Sequence, residues 1–103
     1  MKLYICVLDE FPDYMVPTLV AHSVLSAEYM FCLEREWDDW KENSFRKVVC
    51  RVNQKEFDKI SQLDKVHLGH EIHTLGGKKS CAVVCPRENI PNVLKFAKLW
   101  KPL

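Results

Sequence analysis

Apolar positions along this chain change period several times, and each change marks a new element. Lys2–Leu8 (KLYICVL) is a nearly unbroken apolar run of strand length, the reading of a buried strand. Asp9–Tyr14, interrupted by Pro12, is a loop. From Val16 to Leu33 the spacing turns helical, with Val16, Leu19, Val20, Val24, Ala27 and Phe31 recurring and almost no charge between them. Pro17 fits such a helix only near its start, where its missing N–H is not needed. Because this helix is apolar nearly all round, it is expected to be substantially buried. Glu34–Asn43 then carries five acids and two bases around Trp37 and Trp40. It reads as a solvated helix end and loop whose tryptophans fold back onto the domain.

Lys47–Val52 (KVVCRV) returns to strand character. Asn53 or Gln54 can cap a short helix through about Leu63, with Phe57, Ile60 and Leu63 on one face. Lys65–Thr74 reads as a strand with an irregular start, and Gly76-Gly77 supplies the positive φ of a tight hairpin. Ser80–Cys85 (SCAVVC) is a central strand stopped by Pro86. Ile90, Val93, Leu94, Ala97 and Trp100 follow a helical spacing and predict an amphipathic closing helix. The element order β-α-β-α-β-β-α predicts an α/β fold. Strands separated by helices favour parallel neighbours, and the hairpin adds an antiparallel pair. The expectation is a three-layer α/β/α sandwich around a four-stranded mixed sheet, one domain over residues 1–103 with no repeat or linker.

Composition narrows the function classes. The net charge of +1 gives no bulk attraction to nucleic acid or anionic membrane. No apolar run reaches the ~18 residues of a membrane span. The opening MKLYICVLDEF turns acidic too early for a signal peptide, so a cytoplasmic location is expected. Cys6, Cys32, Cys50, Cys81 and Cys85 are odd in number and mostly lie in apolar runs, the setting of reduced structural thiols.

Several constellations invite chemistry. His70-x-x-His73 with Cys81-x-x-x-Cys85 superficially supplies four zinc ligands. On strands, however, 70 and 73 point to opposite faces, and 81 and 85 stand about 13 Å apart. No metal and no cofactor is therefore expected. His22 is a candidate general base oriented by Asp9 or Asp13, or else a helix histidine bonded to backbone or to Ser26. A cysteine nucleophile is disfavoured, because the strand thiols look buried and nothing lowers their pKa. Gly76-Gly77-Lys78-Lys79 can meet phosphate through backbone N–H groups and two ammonium groups, or is simply a solvated turn.

The order and spacing of several segments resemble the type II peptidyl-tRNA hydrolases. Trp40, Asn43 and Arg46-Lys47-Val48-Val49 resemble that family's Trp-containing loop running into a Lys-Val-Val strand. Val52 before Gln54-Lys55-Glu56 is similar to its strand-to-acidic-helix step, and Gly77-Lys78-Lys79-Ser80 with Pro86 to its hairpin and stop. Asn92–Leu99 resembles its last helix and Ala21-His22 the Ser-His pair of its first. Asp9-Glu10-Phe11-Pro12 followed by Ala21-His22 also looks like an uncharacterised branch related to these enzymes. The resemblance implies their fold and cleft. Anchored on His22, however, the family's functional lysine falls on Met15 and its glutamine on Leu19. Anchored on Gly77, its Asp falls on Leu68, its Thr on Ile72 and the following Gln on His73. Ester hydrolysis needs a base or an oriented water and donors for the oxyanion, which Met, Leu and Ile do not provide.

Two functions compete. The favoured one is a non-catalytic member of the fold that binds a protein or RNA partner, with Lys78, Lys79, Trp37 and Trp40 as contact candidates. Under it, at least one tryptophan is expected to be partly exposed, since aromatic anchors dominate interface energetics. The alternative is an active hydrolase of peptidyl-tRNA or a similar ester, using a rearranged site around His22, Thr18 and Glu71. A dimer is compatible with either.

Overall fold

A computed structural model describes residues 1–71 and 77–101, Glu71 through its backbone alone. Its elements run β1 Lys2–Leu8, α1 Val16–Phe31, α2 Arg35–Asn43, β2 Arg46–Val52, α3 Gln54–Ser61, β3 Val66–Glu71, β4 Lys78–Val84, α4 Asn92–Lys95 and β5 Lys98–Leu99. A 3₁₀ turn, Asp13–Met15, leads into α1. The strands form one mixed sheet in the order β3-β4-β1-β2-β5. Only β1 and β2 run parallel, joined by the long crossover that carries α1 and α2; the other neighbours are antiparallel. With a radius of gyration of 12.8 Å, the chain has the size of one compact domain of its length.

The central position of β1 explains its composition: Leu3, Ile5, Cys6, Val7 and Leu8 are all buried, between β2 and β4. In α1 the buried residues are Val16, Leu19, Ser23, Ala27 and Phe31, a stripe at helical spacing that packs on β3, β4 and β1. Gly69 lies directly beneath that stripe, where a Cβ would fall 2.1 Å from the Ser23 Oγ. α3 begins with a capping box. The Asn53 side chain accepts from the Glu56 N–H, and the Asn53 N–H donates to the Glu56 carboxylate, both at 2.9 Å.

Four expectations change. The sheet has five strands where four were expected, because the chain end does not stay helical. α4 stops at Lys95, and Lys98–Leu99 pairs with β2 at Cys50 and Arg51. The Trp100 N–H then donates to the Val49 carbonyl at 2.9 Å. Pairing the β2 edge satisfies backbone groups that further helical turns would have left open to solvent. Second, Glu34–Asn43 is a helix over Arg35–Asn43 rather than a helix end and loop. Third, its tryptophans fold back onto the domain as expected but are only 1% and 2% exposed, so neither is the partly exposed contact that the binding reading called for. Trp37 and Trp40 stack in a chain from Phe31 to Phe45 with centroid separations of 5.4, 5.0 and 5.2 Å. The Trp40 indole donates to the Arg46 carbonyl at 2.7 Å, and the Trp37 indole donates to the Glu28 carboxylate, so neither polar edge is stranded. Fourth, α1 is covered on one side only. Leu25 and Tyr29 are 70% and 88% exposed, since a sheet can cover just one stripe of a helix laid on it. Gly77 has φ +81°, as the hairpin reading requires; Ile72, His73 and Gly76 lie outside the described residues.

Candidate functional site

The hairpin lysines open onto a groove of about 540 Å³ between the β3–β4 pair, the end of β1 and α3. Leu8, Phe57 and Leu68 line it with apolar atoms, and Glu10, Gln54, Asp58, Gln62, Lys78 and Lys79 line it with polar ones. Each comes from a different constraint of the fold. Leu68 pairs with Ala82 across the β3–β4 ladder. Phe57 lies on the buried face of α3, one turn past its cap. Glu10 lies two residues past the end of β1, and Lys78 opens β4.

The two lysines differ. The Lys78 Nζ bonds Glu10 at 2.9 Å and stands 6.0 Å from the Phe11 ring centroid, so it ties the hairpin to the loop after β1. Lys79 is exposed and makes no ion pair among the described residues, which leaves its ammonium available to a bound group. Glu10 and Asp58 put carboxylates in the same groove. A polyanionic backbone would be repelled there, whereas a mixed polar chain with an acidic group can be paired.

The catalytic candidates do not converge. Thr18 and His22 are exposed and one turn apart on α1. Met15 is half-buried and Leu19 buried at the base of the same helix. Leu68, on the sheet position next to Gly69, lines the groove with Phe57 instead, because neighbouring strand residues point to opposite faces. Asp13, expected to orient His22, accepts from the Arg51 guanidinium and, at 3.1 Å, from the Trp100 indole. The His22 imidazole makes no hydrogen bond to Ser26 or to any other described residue. Nothing is described of the Glu71 side chain.

A different histidine is held in place. His67 on β3 is half-buried with its Nε2 sealed and without a hydrogen-bond partner among the described residues. Burial holds its pKa below the ordinary imidazole value, with His70 and His22 adding repulsion. The His70 Nδ1 is 3.0 Å from the Gly77 carbonyl.

The thiols are unsuited to nucleophilic work. Cys6, Cys50, Cys81 and Cys85 are buried, and only Cys32 is exposed. The hydrogen bond to Cys50 and burial hold Cys6 far above the ordinary thiol range. Burial alone raises Cys81, and it pushes Cys85 up to about 11 with help from Glu36 and Glu34. Thiols so held stay protonated at neutral pH. Cys50 departs from the expectation that nothing lowers a strand thiol, since its hydrogen bond with Cys6 lowers it, but it is buried away from any substrate. Among the described residues no three His, Cys, Asp or Glu side chains gather to hold a metal ion, and no helix is long and apolar enough to cross a membrane.

Lys78, Lys79 and Leu68, singled out in the sequence, line this groove together with Gln54, Asp58 and Gln62 from α3 and its C-cap, which were not singled out as site residues. Their spacing along the polar side of that helix was the available signal. No family model and no curated protein matches this chain.

Proposed function

We propose that this chain is a divergent relative of the type II peptidyl-tRNA hydrolases, a three-layer α/β/α sandwich that works by binding a protein partner rather than by hydrolysis. The layering is supported by Ser23 of α1 lying over Gly69 while Phe57 of α3 shares a groove with the next residue, Leu68. The observation that carries the functional reading is the groove itself. Leu68, where the resemblance calls for an acid, contributes to its apolar floor, and Lys79 stands at the rim without an ion pair among the described residues.

An apolar floor with a sparse polar rim fits an extended protein segment with one apolar anchor and a nearby carboxylate. The tryptophans, being core residues, take no part. RNA fits less well, because Glu10 and Asp58 oppose phosphates. The hydrolase alternative rests on Thr18 and His22 sharing an exposed face of α1, but no carboxylate among the described residues orients the imidazole.

The test is affinity capture from a native lysate with the parent, Leu68→Glu and Lys79→Glu, alongside a peptidyl-tRNA hydrolysis assay. A protein retained by the parent and lost by both variants supports the reading. Turnover abolished by His22→Ala would replace it with the hydrolase, and capture of RNA alone would replace the protein partner.

A further inference from the structure

We propose that the start of β1 carries a second binding site, one for a nucleoside monophosphate. A cavity of about 490 Å³ opens there, lined by Lys2, Tyr4, Arg46, Arg87, Glu88 and Ile90. That volume lies within the ~300–1,000 Å³ of small-molecule sites. The groove beside Lys79 is elsewhere. Leu8, at the far end of β1, lines that groove, and the six-residue step from Lys2 to Leu8 spans ~20 Å of strand. The cavity therefore stands whether or not the groove binds a protein.

The sheet gathers the cations. Lys2 and Arg46 are register partners in the parallel β1–β2 pair, so their side chains leave the same face from strands about 4.8 Å apart. Neither makes an ion pair among the described residues. Like charges set side by side across a ladder are destabilising, and a bound anion relieves them. Arg87 joins from beyond β4 with its orientation already fixed. Its Nε donates to the Cys85 carbonyl at 3.3 Å and its Nη2 to the Asp64 carbonyl. These bonds leave the Nη1 N–H groups without an acceptor among the described residues. A guanidinium held in place binds phosphate with less ordering cost than a free one.

Three features select the ligand. Lys2, Arg46 and Arg87 against Glu88 alone leave two positive charges, close to the dianion of a phosphomonoester at neutral pH. The adjoining hollow shares Arg87 and Glu88 but adds Glu36 and Asp39 to Arg35, so the phosphate belongs on the Lys2 side. Tyr4 lies two residues past Lys2 on the same face, and with Ile90 it offers a half-buried ring and an aliphatic surface for a flat base. Glu88 is exposed and makes no ion pair among the described residues. A carboxylate there opposes a bare phosphate but accepts from the hydroxyls of a ribose. Inorganic phosphate uses only the first feature, whereas a nucleoside monophosphate uses all three.

Titrating isotope-labelled protein with adenosine monophosphate, adenosine and inorganic phosphate, followed by amide NMR shifts, measures both affinity and place. Adenosine monophosphate is expected to bind with a dissociation constant of ~10–300 µM, and adenosine and phosphate each ~10-fold or more weakly. Its shifts should gather at the start of β1 and around Arg87. Lys2→Gln with Arg46→Gln should weaken binding ~30-fold or more, since both charge-assisted contacts go. Both side chains are exposed, and the Trp40 indole bonds only the Arg46 main chain, so this variant keeps the fold. Tyr4→Leu should bring the nucleotide to within ~3-fold of inorganic phosphate, and Lys79→Gln should change nothing. No shifts at ~1 mM nucleotide, phosphate bound as tightly as the nucleotide, or affinity indifferent to the Lys2 and Arg46 substitutions would overturn the proposal.

Discussion

Replacing Gly69 by alanine isolates the contact that seats α1 on the sheet. The new Cβ would lie 2.1 Å from the Ser23 Oγ, 2.8 Å from its Cβ and 3.4 Å from its Cα. Ordinary carbon contacts sit at ~3.5–4.0 Å, so the two shorter distances are deep in the repulsive wall. Rotating the Ser23 side chain moves the oxygen but not the Cβ, and Ser23 is fully buried. The relief therefore has to come from α1 lifting off β3, at an overpacking cost of about 2–3 kcal/mol. A domain of this length has only ~5–15 kcal/mol of stability, so the midpoint of thermal unfolding should fall by roughly 10–20 °C. Urea titration followed by tryptophan fluorescence measures the free energy, since Trp37 and Trp40 are core reporters. Ser23→Gly in the Gly69→Ala background leaves only the 3.4 Å contact and should return much of the loss, a coupling of at least ~1 kcal/mol. Stability within ~0.5 kcal/mol of the parent for Gly69→Ala, or strict additivity of the two substitutions, would refute the reasoning.

Other outcomes follow from the same structure. Ser23→Ala alone removes a buried hydroxyl whose polar contact is the Cys81 thiol and should change stability by no more than ~1 kcal/mol in the same titration. Asn53→Ala removes the cap of α3 and should cost ~0.5–2 kcal/mol. The folded-state pKa of His67 is depressed, so the unfolded chain binds more protons. Its contribution should be lost as pH falls below the ordinary value of 6.5 and level off beneath the folded pKa; His67→Gln should flatten that limb of a stability–pH curve. Native protein should expose one fast-reacting thiol, Cys32, to an aromatic disulfide reagent and five after denaturation; fewer than five would reveal a disulfide. Purified protein should show negligible peptidyl-tRNA hydrolysis, and Met15→Lys should not restore it, because a lone lysine has no groups to orient it or the attacking water.

Local chemistry made much of this fold legible. The apolar run of β1, the cap at Asn53 and the glycine at 77 each express a preference that neighbours in sequence already satisfy. The hydrophobic spacing of α1 likewise named Val16, Leu19, Ala27 and Phe31 of the stripe that meets the sheet, but not Ser23, nor which side of a nearly uncharged helix would stay uncovered. That was decided by the sheet, which has room for one stripe. Tryptophans among seven charges were expected to fold back onto the domain, but that they would be fully core was decided by Phe31 and Phe45, which pack against them, and by Glu28 and the Arg46 carbonyl, which take their indole protons. The closing helix gave way to a fifth strand because the open edge of β2 is present only once the sheet has formed. The groove is of the same kind. Glu10, Gln54, Leu68 and Lys78 are far apart in the chain, and a site assembled from four segments has no period or spacing of its own to read.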